Sequence, residues 1–288
     1  MSSRRPRILL LSAYDAGSHR QWREQLVASQ PDFDWQVLAL PPRFFRWRIR
    51  GNPLSWLHEP LLQQAWDLLL VTSMVDLASL RGLHPHLATV PAIVYLHENQ
   101  FAYPASAGQH HSIDPQMVNL YSAIAAEALW FNSAWNRHSF LHGVQALLAG
   151  LPDGVPDGLP EQLREKSRVL PVPIADALFV DRQPAVNPAC PHLLWNHRWE
   201  YDKGPERLLL LLDRLLENGQ DFRLSLVGEQ FRQQPPVFAT IGQRHQSRLC
   251  HYGYVERVAD YHHLLREADV VISTALHDFQ GLAMLEAM

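Results

Sequence analysis

The 288 residues predict an α/β fold with two parallel-sheet domains. Short apolar runs alternate with amphipathic segments along the chain, which is typical of strands and helices in parallel sheets. A stretch punctuated by prolines interrupts this series once, and the series then starts again. Charged residues directly follow several apolar runs, and ligands of open α/β sheets bind at the carboxyl ends of strands. We therefore expect an N-terminal domain at 1–180, a linker at 181–191, and a C-terminal domain at 192–288, with the two domains facing a cleft.

The first domain begins with a strand, and helices and strands follow in turn. The apolar runs at 67–72 and 92–96 indicate buried strands, and 33–40 alternates between apolar and polar residues as a half-buried strand does. Ser18 is the expected N-cap of the first helix, because a serine hydroxyl can accept a hydrogen bond from a free backbone amide. The predicted strands are 7–12, 33–40, 67–72, 92–96, 129–132 and 168–171, and the predicted helices are 18–29, 114–128 and 133–149.

The second domain repeats the alternation. Pro205 opens its first helix, a position that proline favours because its missing amide would be unpaired there anyway. The predicted strands are 193–196, 222–227, 249–252 and 268–274, and the predicted helices are 205–218, 257–267 and 282–288. Four strands with intervening helices predict a second parallel sheet.

Composition indicates an ordinary globular protein with a net charge of −4. No apolar run approaches the ~18–20 residues that a membrane-spanning helix needs. Cys190 and Cys250 are the only cysteines, so we expect no disulfide framework and a cytoplasmic location. The sixteen histidines lack zinc-site spacing, so no metal site is predicted. No protein partner is evident.

A strand-to-helix turn near the C-terminus carries two acids with seven residues between them. Asp278 lies in the loop, and Glu286 lies about one and a half turns into the predicted helix. Gly281 precedes Leu282 at the start of that helix, where free amides favour a phosphate. A carboxylate facing the ligand can accept hydrogen bonds from ribose hydroxyls. The spacing suggests a site for a nucleotide-diphosphate sugar, although two acids at this spacing also occur by chance.

Two cations follow the first strand of the second domain. Arg198 lies just beyond the strand end, and Lys203 precedes the helix that Pro205 opens. Fixed cations at this edge suit a pyrophosphate and would stabilise the charge on a departing nucleoside diphosphate. The alternative is that both are solvated loop charges. Lys203 is one of only two lysines, which favours a specific role.

Two further candidates follow strands of the first domain. His97 comes directly after the predicted strand 92–96 and could hydrogen-bond a sugar or phosphate oxygen, or could be a packing residue. Gly17 and Ser18 lie in the first strand-to-helix turn, where backbone amides could reach a donor. No GxGxxG motif is present, so a dinucleotide site is only weakly supported.

The segment 41–51 interleaves arginines with aromatic residues. This composition is used to hold phosphates and to stack unpaired bases. Two alternatives stay open, namely an exposed amphipathic strand with solvated arginines and a surface for anionic lipid. The RNA-binding candidates are Arg43, Arg46, Trp47, Arg48 and Arg50.

Together these features resemble the donor site of retaining, metal-independent GT-B glycosyltransferases, which have two Rossmann-like domains. In that family a basic pair binds the diphosphate, and two acids with seven residues between them contact sugar and ribose hydroxyls. The resemblance implies that Arg198 and Lys203 are the basic pair and that Glu286 binds the ribose. Asp278 stands where most such enzymes have Glu. Asp278 and His97 would hold the donor sugar, and no metal cofactor is expected.

More narrowly, the chain resembles the tRNA-queuosine α-mannosyltransferase family. The motifs that carry this resemblance are Ala16-Gly-Ser-His19, Phe44-Phe-Arg-Trp-Arg-Ile-Arg50, Leu96-His-Glu-Asn-Gln-Phe101, Asn196-His-Arg-Trp-Glu200 with Asp202-Lys203, and Phe279-Gln-Gly-Leu282. The resemblance implies a catalytic role for His97, Arg198 and Lys203, GDP-mannose as the donor, and queuosine in a tRNA anticodon loop as the acceptor. Gly17, Ser18, Gly281 and Leu282 would also contact the donor.

The end of the chain at Met288 differs from the usual GT-B pattern, which continues with further strands and a closing helix. We therefore expect an incomplete second domain. Two alternatives to the tRNA hypothesis follow. One is a glycosyltransferase that acts on a lipid or polysaccharide, and the other is a non-catalytic fragment that binds RNA or a nucleotide sugar.

Overall fold

A computed structural model describes residues 4–103, 112–179, 189–230 and 234–288. The chain divides into two compact units, Met1–Val172 and Pro173–Met288. Residues 181–188 of the predicted linker lie outside the described residues, so the linker stays a prediction.

The first unit contains a six-stranded sheet in which every neighbouring pair is parallel. The strands are β1 (Arg7–Ser12), β2 (Asp34–Ala39), β3 (Leu68–Thr72), β4 (Ala92–Leu96), β5 (Ala128–Phe131) and β6 (Ser167–Val169). Their order across the sheet is β2-β1-β3-β4-β5-β6. The order reverses between β1 and β3, and such a switch point is where open α/β sheets bind ligands.

Six α-helices belong to the described part of this unit. They are α1 (Gly17–Ser29), α2 (Phe45–Ser55), α3 (Leu77–Leu83), α4 (Asp114–Ala125), α5 (Ala134–Ala149) and α6 (Leu159–Glu165). Short 3-10 helices occupy Pro60–Gln63 and Pro85–Thr89. Strands β1, β3 and β4 are almost wholly buried, which is why their sequences are continuous apolar runs.

The second unit contains a four-stranded parallel sheet in the order β10-β7-β8-β9. The strands are β7 (His192–Asn196), β8 (Arg223–Val227), β9 (Leu249–Gly253) and β10 (Val270–Val271). The α-helices are α7 (Pro205–Glu217), α8 (Val237–Arg244), α9 (Val258–Glu267) and α10 (Leu282–Leu285), and 3-10 helices occupy Asp176–Leu178, Tyr201–Lys203 and Gln246–Arg248. Its core is separate from that of the first unit and includes the fully buried Trp195, Trp199 and Phe238.

Several local expectations are corrected. Helix α1 begins at Gly17 with Ala16 as its N-cap, so Ser18 lies inside the first turn and does not cap it. The segment around Arg46 is helix α2, so the alternative of an amphipathic strand is wrong. Strand β10 pairs over only two residues, and α10 ends at Leu285, before Met288.

Tertiary contacts explain why the arginine-rich segment is helical. Asn52 on α2 is fully buried, and its amide donates to the carbonyl of Met74 at 3.1 Å. The Asn52 carbonyl oxygen accepts the backbone amide of Asp76 at 3.1 Å. A Cβ at Gly51 would lie 2.6 Å from the Trp47 ring, so glycine lets the ring lie against the helix. The contacts of Asn52 are with residues far along the chain, and they override the weak helical pattern of the segment.

Candidate active site

Strand β7 ends at the switch point of the second sheet, between β8 and β10. His197 follows β7 directly and is 5% exposed. Its Nε2 atom is buried and has no hydrogen-bond partner among the described residues. Burial lowers the pKa of His197 to about 4. The neighbouring charges change this little, since Asp278 raises the pKa while Lys203 lowers it. This histidine is therefore neutral at pH 7.

Lys203 lies in the loop after β7 and is held by a ring of oxygen atoms. Its Nζ atom is 2.7 Å from the Asp278 carboxylate and 3.1 Å from that of Asp202. It also donates to the carbonyl of His277 at 3.1 Å. The lysine is only 7% exposed, and these three oxygen atoms provide one acceptor for each of its three N–H donors. The structure thus brings together two of the predicted donor-site residues, Lys203 and Asp278.

The loop before α10 is fixed to the loop after β7 by hydroxyl and backbone contacts. The Thr274 hydroxyl donates to the carbonyl of Lys203 at 2.8 Å, and the Trp195 indole donates to the Thr274 hydroxyl at 2.9 Å. Gly204 has φ +61, and a Cβ there would lie 2.2 Å from the Thr274 carbonyl oxygen. Only glycine fits this close approach, which brings the loop that carries Lys203 against the loop that leads to Asp278.

Glu286 reaches the same strand end through a hydrogen-bonded chain. The hydroxyl of Tyr261 on α9 donates to Glu286 Oε2 at 2.7 Å. The side-chain amide of Asn196, the last residue of β7, donates to the Tyr261 hydroxyl at 3.1 Å. Burial raises the pKa of Glu286, and the hydrogen bond from Tyr261 opposes that shift. Glu286 and Lys203 therefore both connect to the carboxyl end of β7.

The remaining predicted residues of this unit border the cluster. Arg198 forms an ion pair with Glu200 at 2.9 Å and keeps a half-exposed side chain. Gly281 has φ +73, a left-handed conformation that favours glycine, and its carbonyl begins the helix that Leu282 opens. Helix α10 has four residues, and the side-chain amide of Asn196 donates to the carbonyl of Ala283 in it at 2.9 Å.

His97 follows β4 in the first unit and lies within a stack of aromatic rings. The His19 ring is parallel to it with the centroids 4.1 Å apart, and the rings of Trp22 and Tyr95 contact its edges at 4.6 and 4.7 Å. His97 Nε2 is buried and has no hydrogen-bond partner among the described residues. Burial, together with the charge of His19, lowers the pKa of His97 well below its ordinary value.

His19 carries the opposite perturbation. Its Nε2 lies 3.0 Å from a Glu98 carboxylate oxygen, and its Nδ1 lies 3.0 Å from the Tyr14 carbonyl oxygen. Burial alone would lower the pKa of His19, but the charge and hydrogen bond of Glu98 outweigh it and raise the pKa. The Ser73 hydroxyl, just after β3, donates to the other Glu98 oxygen. The cluster thus joins the carboxyl ends of β1, β3 and β4, at the switch point.

Four buried asparagines hold the loop that carries His97. Asn132 donates to the carbonyl of His97 at 2.7 Å, and Asn136 donates to the carbonyl of Leu96 at 2.8 Å. Asn99 accepts the backbone amides of residues 101 and 102, and Asn119 accepts that of residue 100. Helices α4 and α5 and strand β5 therefore fix the backbone of residues 96–102 through side-chain amides.

Gly17 and Ser18 are exposed at the start of α1. A Cβ at Gly17 would meet no atom within 4 Å, so space does not require glycine there. Their role in donor binding stays a prediction.

The predicted RNA-binding residues at the start of α2 and just before it differ in exposure. Arg43 and Arg46 are exposed, and Trp47 is 49% exposed. Arg50 forms an ion pair at 2.7 Å with the buried Asp76 while its side chain remains half-exposed. Arg48 is 8% exposed, so little of it is accessible, and its role as an RNA contact stays a prediction.

Sequence reasoning missed several of these residues. His19 and Glu98 are 79 positions apart, and His197 and Tyr261 were not chosen. Their position in the sequence could have indicated two of them. His197 directly follows a strand and precedes Arg198, and Glu98 directly follows His97. No local pattern marks Tyr261, which lies on a helix that approaches β7 only in the folded unit.

The described residues contain neither a metal-binding cluster nor a membrane-spanning helix. Within residues 4–103, 112–179, 189–230 and 234–288, no three His, Cys, Asp or Glu side chains form a group that could hold a metal ion. Over those same ranges no helix has the length and apolar character needed to cross a bilayer.

Comparisons with known proteins agree on the class. Residues 7–174 match the family described as tRNA-queuosine alpha-mannosyltransferase N-terminal, and residues 181–288 match glycosyl transferases group 1. The chain is 35% identical over 295 residues to a tRNA-queuosine alpha-mannosyltransferase of Drosophila melanogaster, covering 100% of the chain and 78% of the relative.

Solved structures extend the agreement to the fold. The catalytic domain of starch synthase IV from Arabidopsis thaliana aligns with a TM-score of 0.63 at 12% identity, covering 99% of this chain and 81% of that one. A lipopolysaccharide outer core galactosyltransferase aligns with a TM-score of 0.59 at 11% identity, covering 98% of this chain and 77% of that one.

The two parallel-sheet units and these matches define a glycosyltransferase with the GT-B fold. The family match covers more than half of the residues, and the Drosophila relative exceeds one-third identity over the whole chain. The chain belongs to the tRNA-queuosine alpha-mannosyltransferase family.

Proposed function

We propose that this glycosyltransferase transfers mannose from GDP-mannose to queuosine in the anticodon loop of a tRNA. The name of the Drosophila relative supports the sugar and the acceptor. The observation that carries the donor site is the convergence of Lys203, Asp278 and Glu286 on the end of β7. A cation beside two carboxylates matches the three parts of a nucleotide sugar, namely diphosphate, sugar and ribose.

Each group has a proposed role. Arg198 and Lys203 bind the diphosphate, which requires Lys203 to exchange one of its carboxylate contacts for a phosphate oxygen. Asp278, thereby released, accepts a hydrogen bond from a mannose hydroxyl. Glu286, oriented by Tyr261, accepts hydrogen bonds from the ribose. His97 offers to a substrate hydroxyl its Nε2, which has no hydrogen-bond partner in the described part of the chain.

The proposed reaction retains configuration without a protein nucleophile. The bond between mannose C1 and the diphosphate oxygen breaks, and C1 bonds to a hydroxyl oxygen of queuosine on the same face. The proton of that hydroxyl passes to the departing phosphate oxygen. Arg198 and Lys203 stabilise the negative charge of that leaving group, so the reaction needs no metal ion. We place this activity in the cytoplasm.

A thermal-shift panel of GDP, UDP and ADP sugars tests the donor. We expect stabilisation by GDP-mannose, since a ligand that binds only the folded chain raises its unfolding temperature. The same preparation is then given GDP-mannose and tRNA with or without queuosine, and mannose transfer is followed by mass spectrometry of nucleosides. Transfer only to queuosine-containing tRNA would support the proposal, and a preference for a UDP sugar would overturn it.

Salt dependence separates RNA from a neutral glycan or lipid-linked acceptor. Binding of RNA should weaken steeply as salt rises, because bound cations are released from its phosphates. Binding of an uncharged acceptor should hardly change. Donor stabilisation without transfer or donor hydrolysis would point instead to a non-catalytic binding protein.

A further inference from the structure

Phe44 has a backbone conformation that is rare for its residue type. Its φ and ψ angles are 56° and 55°, in the left-handed region, and it is the one non-glycine residue with positive φ among residues 4–103, 112–179, 189–230 and 234–288. A bulky side chain at these angles crowds the neighbouring carbonyl, which is why such residues usually mark strain. The Phe44 side chain is 69% exposed, so packing of the ring does not compensate the strain.

The left-handed turn itself has a structural use. Phe44 is the N-cap of α2, and its carbonyl accepts the backbone amides of Trp47 and Arg48, both at 2.9 Å. Glycine or asparagine would form the same turn at lower cost. The turn therefore explains the backbone angles and leaves the aromatic ring unexplained. Strain kept at an exposed position is a reason to look for a function.

The surroundings of the ring are cationic and aromatic. The guanidinium of Arg43 lies 5.6 Å from the centre of the Phe44 ring. Arg46 and Trp47 are exposed on the first turn of α2. From residue 35 to residue 58 the sequence contains four arginines and no acid. This surface, formed by Arg43, Phe44, Arg46 and Trp47, is complementary to a polyanion that also presents flat rings.

RNA with unpaired bases has both properties, since proteins bind it with aromatic platforms beside arginines that contact phosphates. A membrane fits less well. Helix α2 buries its opposite face, including Ile49 and Asn52, in the core of the first unit, so it cannot lay a broad apolar face into a bilayer.

We propose that Phe44 is a stacking platform for an unpaired base of the RNA acceptor, with Arg43 and Arg46 contacting the flanking phosphates. The choice of RNA as the ligand rests on the proposed function. Because the ring lies at a strained turn, base stacking favours phenylalanine at position 44, whereas stability of the folded chain favours glycine or asparagine there. Stacking is retained at a cost to stability.

Substitution of Phe44 separates these demands. Phe44→Asn keeps the left-handed turn without strain, so we expect the unfolding temperature to rise by about 2 °C. The same change should weaken binding to a labelled anticodon-arm hairpin by roughly tenfold, which is the scale of losing one base stack. Phe44→Trp should retain binding, because it retains a flat ring. Phe179→Ala removes an aromatic of similar exposure, 75%, and serves as the control with unchanged binding.

The outcomes are distinguishable. Hairpin binding by Phe44→Asn that equals wild type would overturn the proposal, as would an equal loss of binding to a fully paired duplex. Loss of binding to anionic vesicles with unchanged hairpin binding would identify a membrane partner instead. Wild type is assayed in parallel for GDP-mannose stabilisation and mannose transfer. A chain that loses hairpin binding on Phe44→Asn but transfers no mannose supports this inference and contradicts the proposed function.

Discussion

His97 and His197 occupy corresponding places in the two units, and their neighbours differ. Each directly follows a buried strand, each is less than 10% exposed, and each has a buried Nε2 without a hydrogen-bond partner among the described residues. His97 lies among rings, with His19 stacked on it. His197 lies among charges, including Lys203 and Asp278. Both have a lowered pKa, and burial is the main cause in each.

The difference separates two ways of keeping an imidazole neutral and in place. In the first unit, the His19 ring stacks on His97, and the charge that His19 carries when protonated further lowers the pKa of His97. In the second unit the surrounding charges act in opposite directions, so desolvation dominates. Removing one charge in the second unit leaves the opposite charges unbalanced, so such a substitution should lower activity strongly there. In the first unit, where rings surround His97, the loss of one charge should lower activity only modestly.

The largest expected effect is at the charged cluster. Lys203→Ala should lower kcat/KM by roughly a hundredfold or more, equivalent to about 3 kcal/mol, because it removes a preorganised donor from the leaving group. It also leaves the carboxylates of Asp202 and Asp278 without their cation, so the unfolding temperature should fall. Steady-state kinetics with GDP-mannose and queuosine-containing tRNA would measure the first effect.

Lys166→Ala is the matched control, since Lys166 is the only other lysine and donates to backbone carbonyls in the first unit. It should leave kcat unchanged. If Lys203→Ala kept wild-type turnover, charge stabilisation by this lysine would be ruled out and the two units would not differ in the way proposed.

A smaller effect concerns stability in acid. Above its ordinary pKa of 6.5, His197 is neutral in both the folded and the unfolded chain. As the pH falls below 6.5 the unfolded chain takes up a proton, while the folded chain resists until the pH nears 4. The free energy of unfolding should therefore drop by about 2 kcal/mol at pH 5. The lowered pKa of His97 also destabilises the folded chain in acid. The raised pKa of His19 has the opposite effect: it stabilises the folded chain below pH 6.5, and this contribution is lost as the pH rises through the pKa of His19 in the folded chain.

Denaturant unfolding at pH 7 and pH 5 would test this dependence. His197→Gln should unfold with a smaller difference between the two pH values than wild type, and His138→Gln, at an exposed histidine, should match wild type. Identical pH dependence in wild type and His197→Gln would contradict the buried, neutral state of His197.

The smallest effect should appear in the first unit. Glu98→Gln removes a charge that raises the pKa of His19, so His19 should oppose protonation of His97 less and the pKa of His97 should rise. The charge of Asp15, which also raises the pKa of His19, stays in place beside Arg20 and Arg23, so the shift should be small. The acid limb of the kcat/KM profile should move to higher pH, and histidine NMR titration should show the same shift.

Glu24→Gln is the control for this change, because Glu24 lies on α1, as His19 does, and its side chain is 63% exposed. A profile unchanged in Glu98→Gln would mean that His19 and Glu98 only support the fold. A collapse of kcat at every pH would show that the first unit depends on charge as strongly as the second.

The sequence predicts the strands well because burial on both faces leaves continuous apolar runs, as in β1, β3 and β4. It also predicts which polar residues follow strands, and the contact between Lys203 and Asp278 agrees with that placement. It does not predict α2, whose helix depends on Asn52 bonding to residues 22 and 24 positions away. The pairing of His19 with Glu98 requires the sheet order, which no local pattern encodes.

The four asparagines around residues 96–102 have a consequence for protein engineering. Three of them, Asn99, Asn132 and Asn136, are joined by side-chain hydrogen bonds, and Asn136 also donates to the backbone. Replacing one member leaves another with a buried amide that water cannot reach, at a cost of about 1–3 kcal/mol. Libraries designed to change the acceptor preference should keep these asparagines and vary the exposed side chains around them.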